Sequence, residues 1–216
     1  LYSDTNNIPN EVIKPYFDKG KKRGPENSTI KNIKKDILFG FHRLAINGLD
    51  VQSNQPLDHH SGVLICNGEI YNCNSLSSSL SIKSITNSDC EVILGAYEKL
   101  NYKSISLLHG DFAFVLYDKN SDEIIVSRDP YGEKSLFICH YKNNNMGICS
   151  DIAPLLFDKN IENIYPFEPG TYSVYHKEKD HFELSFSEKY YYNISRSCIQ
   201  PKKTIEYYMF ELLKQL

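Results

Sequence analysis

The 216-residue sequence predicts an α+β fold in which helices pack on antiparallel sheets. Short segments rich in apolar, β-branched and aromatic residues predict many strands, and turn residues separate most of them. One strongly periodic segment predicts a helix between the early and the late strands. Strands and helices do not alternate regularly along the chain, which argues against a parallel sheet made of βαβ units.

The first third of the chain predicts a long loop followed by two strands. Residues 10–36 are polar and basic, and the glycines and proline around KKRGPENS are typical of a loop. Apolar and aromatic residues dominate segments 36–46 and 61–66, which we expect to form strands. The sequence NGEIYN (67–72) is expected to end the second strand, and a serine-rich stretch with no regular pattern comes next.

The clearest helix is predicted over residues 87–100. Ser88 or Asp89 can cap its N-terminus, and Glu91 in the first turn complements the helix dipole. Its apolar residues share one face: Val92, Ile93, Ala96, Tyr97 and Leu100.

The later part of the chain predicts antiparallel hairpins. Polar turn residues separate three pairs of strand-like segments, which are 111–118 with 123–129, 135–141 with 146–150, and 170–176 with 181–188. After them, segment 201–216 places apolar residues on one helical face.

Composition excludes several function classes. A formal net charge of -3 gives no electrostatic basis for binding nucleic acid or an anionic membrane. The longest apolar runs are too short to span a bilayer. No glycine-rich phosphate-binding loop occurs, since YGEKS has neither of the usual spacings. We therefore expect neither a membrane nor a nucleic acid as partner.

The six cysteines do not indicate a metal site. No CxxC or HExxH pattern occurs, and the doublet His59-His60 stands alone. Cysteines scattered through strand-like segments of a domain of this size are typical of reduced thiols in the cytoplasm, which is the compartment we expect.

Five residues at strand ends and at a helix start form a candidate binding site: Arg43, Asn67, Gly68, Glu69 and Asp89. One cation and two anions that face a common cleft would bind a zwitterion such as an α-amino acid. A guanidinium can hold its carboxylate through two parallel hydrogen bonds, and the two carboxylates can hold its ammonium. The Asn-Gly pair could offer two N–H donors to an oxygen that becomes negative during acyl transfer.

Each of these residues also has a purely structural explanation. An arginine within a strand is often a surface residue, an Asn-Gly pair is often a turn, and an aspartate before a helix is often a cap. The hypothesis of a site depends on the set and not on any single member.

Seven motifs resemble the glutaminase domain of glutamine-hydrolysing asparagine synthetases over nearly the whole chain. In chain order they are RGPE, GFHRLAI, NGEIYN, SDCEVI, GDFAFVLYD, RDPYGEKSLF and PFEPGTYSVY. Other class II glutamine amidotransferases share pieces of this series, but they are less similar around GFHRLAI and SDCEVI.

The resemblance implies a four-layer αββα sandwich of two antiparallel sheets, of the N-terminal-nucleophile hydrolase type. It implies hydrolysis of glutamine to glutamate and ammonia, and passage of the ammonia to a second domain that amidates aspartate to asparagine. The glutaminase domain would cover residues 1–200, and residues 201–216 would begin the synthetase domain. We expect no cofactor and no metal in the first domain, whereas the second would need ATP and Mg²⁺. The expected partners are glutamine, the synthetase domain of the same chain and, as an option, a second copy in a homodimer.

Residue by residue, the resemblance implies that Arg43 holds the substrate carboxylate and that Glu69 and Asp89 hold its ammonium. Asn67 and Gly68 would form the oxyanion hole. Four further residues would line the glutamine pocket: Leu44, Ala45, Ile46 and Asn47.

The sequence departs from the family pattern in its nucleophile. The family uses an N-terminal cysteine, and this sequence begins at Leu1, so we expect the nucleophile a short distance upstream. Cys66 adjoins the oxyanion donors, but neighbours in a strand point to opposite faces, and we expect it to be a packing residue. Smaller departures are Lys22, Glu26 and the pair Ser150-Asp151.

Two alternatives remain open from the sequence. The chain could be a catalytically dead scaffold, as in β-lactam synthetases that lack the cysteine, or an amidotransferase for another acceptor. A Met-Cys-Gly start upstream of Leu1 would distinguish the enzyme from the scaffold.

Overall fold

The computed structural model describes residues 2–3, 10–153, 155, 158–179 and 181–191. Within these residues the chain forms two antiparallel sheets of six strands each. The strands are β1 Tyr2–Ser3, β2 Asn27–Lys34, β3 Ile37–Arg43, β4 Leu57–Asp58, β5 Gly62–Ile70, β6 Gly110–Asp118, β7 Glu123–Arg128, β8 Phe137–Tyr141, β9 Met146–Cys149, β10 Ile161–Pro166, β11 Thr171–Glu178 and β12 His181–Lys189. The helices are α1 Asn10–Phe17, α2 Cys73–Leu80 and α3 Val92–Leu100, with short 3₁₀ segments at Asp18–Arg23, Val51–Ser53, Asp89–Glu91 and Asn101–Leu107.

The strand order places β3 and β5, which carry most of the candidate site, in different sheets. The first sheet has the order β10-β8-β9-β1-β3-β2, and the second has the order β12-β11-β7-β6-β5-β4. Strands β5 and β6 pair over nine residues, from Gly62 opposite Asp118 to Ile70 opposite Gly110. The antiparallel α+β sandwich predicted from the sequence is confirmed.

Two apolar clusters hold the layers together. The cluster between the sheets includes Phe39 of β3 and Val63 of β5. The other cluster joins the second sheet to α2 and α3, and it includes Leu64 and Cys66 of β5. Successive residues of β5 thus face opposite layers, as the two-residue period of a strand requires. None of the helices in the described part of the chain is long and apolar enough to cross a membrane.

Helix α1 and the 3₁₀ segment after it lie against β3. The rings of Phe17 and His42 stack with their centroids 3.8 Å apart, and a Cβ added at Gly40 would lie 2.8 Å from the Phe17 ring. Since Ile37 and Phe39 face the other sheet, this contact covers the opposite face of β3.

The strands of the three predicted hairpins are present, whereas the predicted loop over residues 10–36 is wrong. This segment forms α1, a 3₁₀ segment and strand β2. Strand β2 is an edge strand with no fully buried residue, so its sequence NSTIKNIK lacks the apolar alternation of an inner strand. Helix α2 in the serine-rich stretch and the edge strand β10 were not predicted, and β10 also lacks buried residues.

Three element boundaries also differ from the prediction. Strand β3 ends at Arg43, so the following three residues leave the sheet. The predicted helix over 87–100 begins as the 3₁₀ turn Asp89–Glu91, and α3 follows. Strand β5 does not end at Cys66 but continues through NGE to Ile70, because all nine residues pair with β6. The Asn-Gly pair is therefore part of a ladder and not a turn.

Candidate active site

A cavity of about 710 Å³ brings the predicted site residues together. Its walls come from the end of β3, the loop after it, β5 and the turn before α3. Eight of the nine predicted residues line it: Arg43, Leu44, Ile46, Asn47, Asn67, Gly68, Glu69 and Asp89. Ala45 lies in the same loop but is not among the lining residues. Arg43 and Asp89 thus share one cavity, as a site for a zwitterion requires.

Arg43 is buried and holds the loop that follows it. One terminal nitrogen donates to the carbonyl oxygen of Asp50 at 3.0 Å and to Oδ1 of Asn54 at 2.6 Å. The other donates to the carbonyl oxygens of Asn47, at 3.3 Å, and of Gly48. The four acceptors match in number the four N–H groups of the two terminal nitrogens. An incoming carboxylate must therefore replace some of these loop acceptors.

Strand β5 directs a backbone N–H of the Asn-Gly pair away from its partner strand. The side chain of Gln55 accepts from the Cys66 N–H at 2.6 Å and donates to the Cys66 carbonyl at 2.9 Å. The N–H of Ile70 donates to Asp89 at 2.6 Å. Since N–H groups two residues apart in a strand point the same way, the Gly68 N–H also points away from β6. It lies on the open edge of β5, where an oxyanion donor could act.

Gly68 is needed for this close pairing. Its φ is +145°, and an added Cβ would lie 2.7 Å from the Cα of Phe112 and 2.9 Å from the carbonyl carbon of Asp111. Both atoms belong to the backbone of β6, so they cannot move aside as a flexible side chain would. A glycine here lets β5 continue while it turns Asn67 and Glu69 toward the cavity.

Asp89 is fixed to the end of β5. Its Oδ2 accepts the Ile70 N–H at 2.6 Å, which ties the turn before α3 to the strand. The sequence suggests Asp89 as a helix cap, but its carboxylate accepts an N–H from the end of a strand. Ser88, the residue before the turn, makes no side-chain capping bond.

Glu91 is a buried carboxylate whose role the sequence did not reveal. It is 1% exposed and accepts the N–H groups of Ile85 and Thr86, each at 2.7 Å, and the Thr86 hydroxyl at 2.6 Å. His59 Nε2 lies 3.0 Å from it. The sequence predicts Glu91 in the first turn of the helix, and it lies in the 3₁₀ turn Asp89–Glu91 that leads into α3. Its hydrogen bonds also fix the segment that leads to Asp89.

Lys134 is a lining residue that was not predicted. The buried Asp129 accepts the N–H groups of Tyr131, Glu133 and Lys134 at 2.9–3.0 Å and so folds this loop toward the cavity. Lys134 Nζ lies 2.6 Å from Asp111 Oδ2. The signal was present in the RDPYGEKSLF motif, but nothing in the sequence showed that its lysine reaches the cavity.

The acid–base groups beside Glu69 are coupled through Asp111. A hydrogen bond to Asp111 raises the pKa of Lys134. Partial burial opposes ionisation of Asp111, but bonds from Lys134 and Tyr71 hold the pKa of this carboxyl below its ordinary value. The bond to Asp111 raises the pKa of Tyr71 to about 12. Lys134 therefore stays cationic next to two carboxylates and limits their mutual repulsion.

The thiols that line the cavity differ in their environments. Cys66 is 2% exposed in the cluster beneath α3, as expected for a packing residue. A hydrogen bond with Cys66, together with burial, raises the pKa of the Cys90 thiol, and a thiol held in its protonated form is a poor nucleophile. Cys149 Sγ lies 4.0 Å from Cys139 Sγ, and this contact lowers the pKa of Cys149.

Comparisons with known proteins identify the family to which this chain is similar. Residues 2–182 match the family model described as a glutamine amidotransferase domain. A probable glutamine-hydrolysing asparagine synthetase of Dictyostelium discoideum is 35% identical over 158 residues, which are 70% of this chain and 28% of the relative. A putative glutamine-hydrolysing asparagine synthetase of Methanocaldococcus jannaschii is 30% identical over 238 aligned positions, covering 94% of this chain and 44% of the relative. The chain thus spans less than half the length of these two relatives.

A solved structure supports the fold. The glutamine phosphoribosylpyrophosphate amidotransferase of B. subtilis aligns with a TM-score of 0.56 at 24% identity, covering 71% of this chain and 35% of that one. The family match extends over most of the chain and includes every predicted site residue. The chain belongs to the glutamine amidotransferase domain family, as an N-terminal class II domain similar to those of asparagine synthetases.

Proposed function

We propose that this chain is the glutaminase domain of a glutamine-hydrolysing asparagine synthetase. The observation that carries the proposal is the cavity in which Arg43, Asn67, Gly68, Glu69 and Asp89 meet. The named relatives support the choice of asparagine synthetase among class II amidotransferases. The reaction in this domain is hydrolysis of glutamine to glutamate and ammonia.

Glutamine would bind by its two charged ends. Its ammonium lies between the carboxylates of Glu69 and Asp89, and its carboxylate pairs with Arg43. To accept the carboxylate, Arg43 exchanges bonds to the carbonyls of Asn47 and Gly48 for bonds to the substrate. The exchange keeps the number of charge-assisted bonds and releases the loop carbonyls to water.

The side-chain amide of glutamine would then lie against Asn67 and Gly68. As a nucleophile attacks the amide carbon, the carbonyl oxygen gains negative charge. The Gly68 N–H and the Asn67 side-chain N–H would stabilise that oxygen. The bond to nitrogen breaks, ammonia leaves with an added proton, and water then hydrolyses the acyl intermediate to glutamate.

The register of β1 supports a nucleophile upstream of Leu1. Tyr2 pairs with Leu38 of β3 and with Gly147 of β9. Two residues upstream, the same register leads to Gly40 on β3 and Cys149 on β9, and both residues line the cavity. Each further residue moves about 3.4 Å along β3 toward Arg43. An N-terminal cysteine carried by this strand would enter the site beside the oxyanion donors.

The ammonia would be used outside this domain. In the full protein, a synthetase domain beginning after about residue 200 would bind ATP and Mg²⁺ and transfer the ammonia to aspartate. Residues 201–216 lie outside the described part of the chain, so this division rests on the relatives. The cytoplasm is the compartment that such biosynthesis and the six cysteines favour.

The test uses the protein with its natural N-terminus and measures glutamate and ammonia released from glutamine. Asn67→Ala should lower kcat by about 10²–10³, the loss typical of one oxyanion donor. Asn120→Ala, in the turn between β6 and β7, is the matched control and should keep the wild-type rate. Absence of glutamine hydrolysis by the wild type would overturn the enzymatic proposal in favour of the scaffold. An unchanged kcat in Asn67→Ala would remove Asn67 from the oxyanion hole.

A further inference from the structure

The two segments that carry the charged groups of the site are joined by a side-chain hydrogen bond. One is the loop of residues 44–54, which Arg43 holds, and the other is segment 84–91, which carries Asp89. Nδ2 of Asn87 donates to Oδ2 of Asp50 at 2.7 Å. The same bond is the largest influence on the Asp50 carboxyl and lowers its pKa, so Asp50 accepts it as an anion.

Each end of this link is held rigidly by its own segment. Oδ1 of Asp50 accepts the Ser53 N–H at 2.8 Å and the Ser53 hydroxyl at 2.9 Å, which fixes the carboxylate plane. On the other side, Glu91 holds the backbone of Thr86, directly before Asn87. The Asp50 carboxylate and the backbone next to Asn87 are therefore each fixed by other hydrogen bonds. Forming the bond between the two residues costs little additional conformational entropy.

The two backbones also approach closely at this point. Gly48 has φ +60°, and a Cβ there would lie 2.9 Å from the carbonyl carbon of Asn87. The glycine thus permits both the turn of the loop and its contact with the segment before Asp89. The link joins surfaces that already touch, and a small change in its length would move one segment relative to the other.

We infer that Asp50 and Asn87 are positioning residues that set the separation of Arg43 from Asp89 and thereby the affinity for glutamine. This inference rests on the proposed function. When the substrate carboxylate takes the place of the Asn47 and Gly48 carbonyls at Arg43, the loop loses part of its inner anchor. The Asp50–Asn87 bond is independent of the guanidinium terminal groups that change partners, so it keeps the loop in register with Asp89 while glutamine is bound.

The test exchanges the two partners. Asn87→Asp places a second carboxylate against Asp50, and we expect glutamine to bind about tenfold more weakly. The double variant Asp50→Asn with Asn87→Asp restores the bond with donor and acceptor exchanged, and should recover affinity to within about twofold. Asp50→Asn alone replaces the charge-assisted bond by a weaker neutral one, and should weaken glutamine binding less than Asn87→Asp does. Ile85→Asp adds a charge to the same segment at a side chain that is 75% exposed and does not line the cavity, and serves as the control.

Glutamine dissociation constants are measured by calorimetry on the full protein, together with KM, kcat and the thermal unfolding midpoint. The loss in Asn87→Asp should appear in KM and not in kcat, which a general loss of structure would not produce. If Asn87→Asp is too unstable, Asn87→Ala removes the donor without a charge and should weaken binding in the same direction. Wild-type affinity in Asn87→Asp, or no recovery in the double variant, would overturn the inference. A wild type that does not bind glutamine would instead overturn the proposed function.

Discussion

Replacing Gly68 by alanine tests whether the backbone of β5 forms both the ladder and the site. The added methyl group would lie 2.7 Å from the Cα of Phe112 and nearer still to the carbonyl oxygen of Asp111. Ordinary contacts of a Cβ begin near 3.4 Å. Strand β5 would have to move away from β6 by more than an ångström at this point.

The expected loss of stability follows from two terms. A non-glycine residue at φ +145° costs about 1–3 kcal/mol of backbone strain. Separation of the strands weakens the neighbouring ladder bonds, each worth about 1 kcal/mol net. Gly68→Ala should therefore lower the free energy of unfolding by about 3–4 kcal/mol. Since the Gly68 N–H moves with the strand, glutamine turnover should fall by about 10²-fold.

Urea denaturation and glutamine hydrolysis by the full protein measure the two effects. The matched control is Gly170→Ala, because Gly170 also has positive φ (+67°), but the nearest atom to an added Cβ is 3.3 Å away. It should cost about 1 kcal/mol and leave turnover unchanged. If Gly68→Ala were no less stable than Gly170→Ala, or kept full turnover, the close pairing would not be what places the oxyanion donor.

Two further predictions concern carboxylates outside the oxyanion hole. Glu91→Gln replaces one carboxylate oxygen by an NH₂ group, which then faces either the Ile85 N–H or the Thr86 donors, and should lower the free energy of unfolding by about 2–3 kcal/mol, measured in urea. Glu98→Gln on α3 should have little effect, and equal stability of the two variants would contradict the buried network. For Asp58, burial opposes ionisation, but bonds from Lys119 and Lys31 lower its pKa below the ordinary 3.8. Its contribution is therefore present above pH 3.8 and lost as the pH falls through the lower, folded-state pKa. Asp58→Asn should be less stable than the wild type by about 0.5–1 kcal/mol at pH 7, and a gap that persists at pH 2 would refute this assignment.

The sequence predicts the inner strands of the fold well and its outer elements poorly. Strands β6 and β7 are buried on both faces and show continuous apolar runs, which short windows detect. Strand β2 has no buried residue, so its sequence needs no regular apolar pattern. The end of β5 was misplaced because the conformation of Gly68 depends on its approach to β6, a contact between segments more than 40 residues apart.

The sequence predicts which residues form the site but does not predict the hydrogen bonds that they make. The motif series named Arg43, Glu69 and Asp89, and the structure places them in one cavity. It did not show that Arg43 is already bonded to its own loop, since that depends on backbone carbonyls that no side-chain pattern encodes. The sequence does not reveal Lys134 as a lining residue or Glu91 as a support of the segment before Asp89 for a related reason, because their partners are a residue on another strand and backbone amides.

The hydrogen bonds from both terminal nitrogens of Arg43 to its own loop would make recognition of a carboxylate an exchange of partners. The affinity for a ligand would then be the difference between the hydrogen bonds that Arg43 gains with the ligand and those that it loses with the loop. A ligand with no free carboxylate would leave Arg43 N–H groups or loop carbonyls without partners. Glutamine within a peptide has an amide in place of the free carboxylate. It would break the same loop bonds but form weaker hydrogen bonds with Arg43. We therefore expect discrimination in favour of the free amino acid to originate in the hydrogen bonds that the loop makes to Arg43.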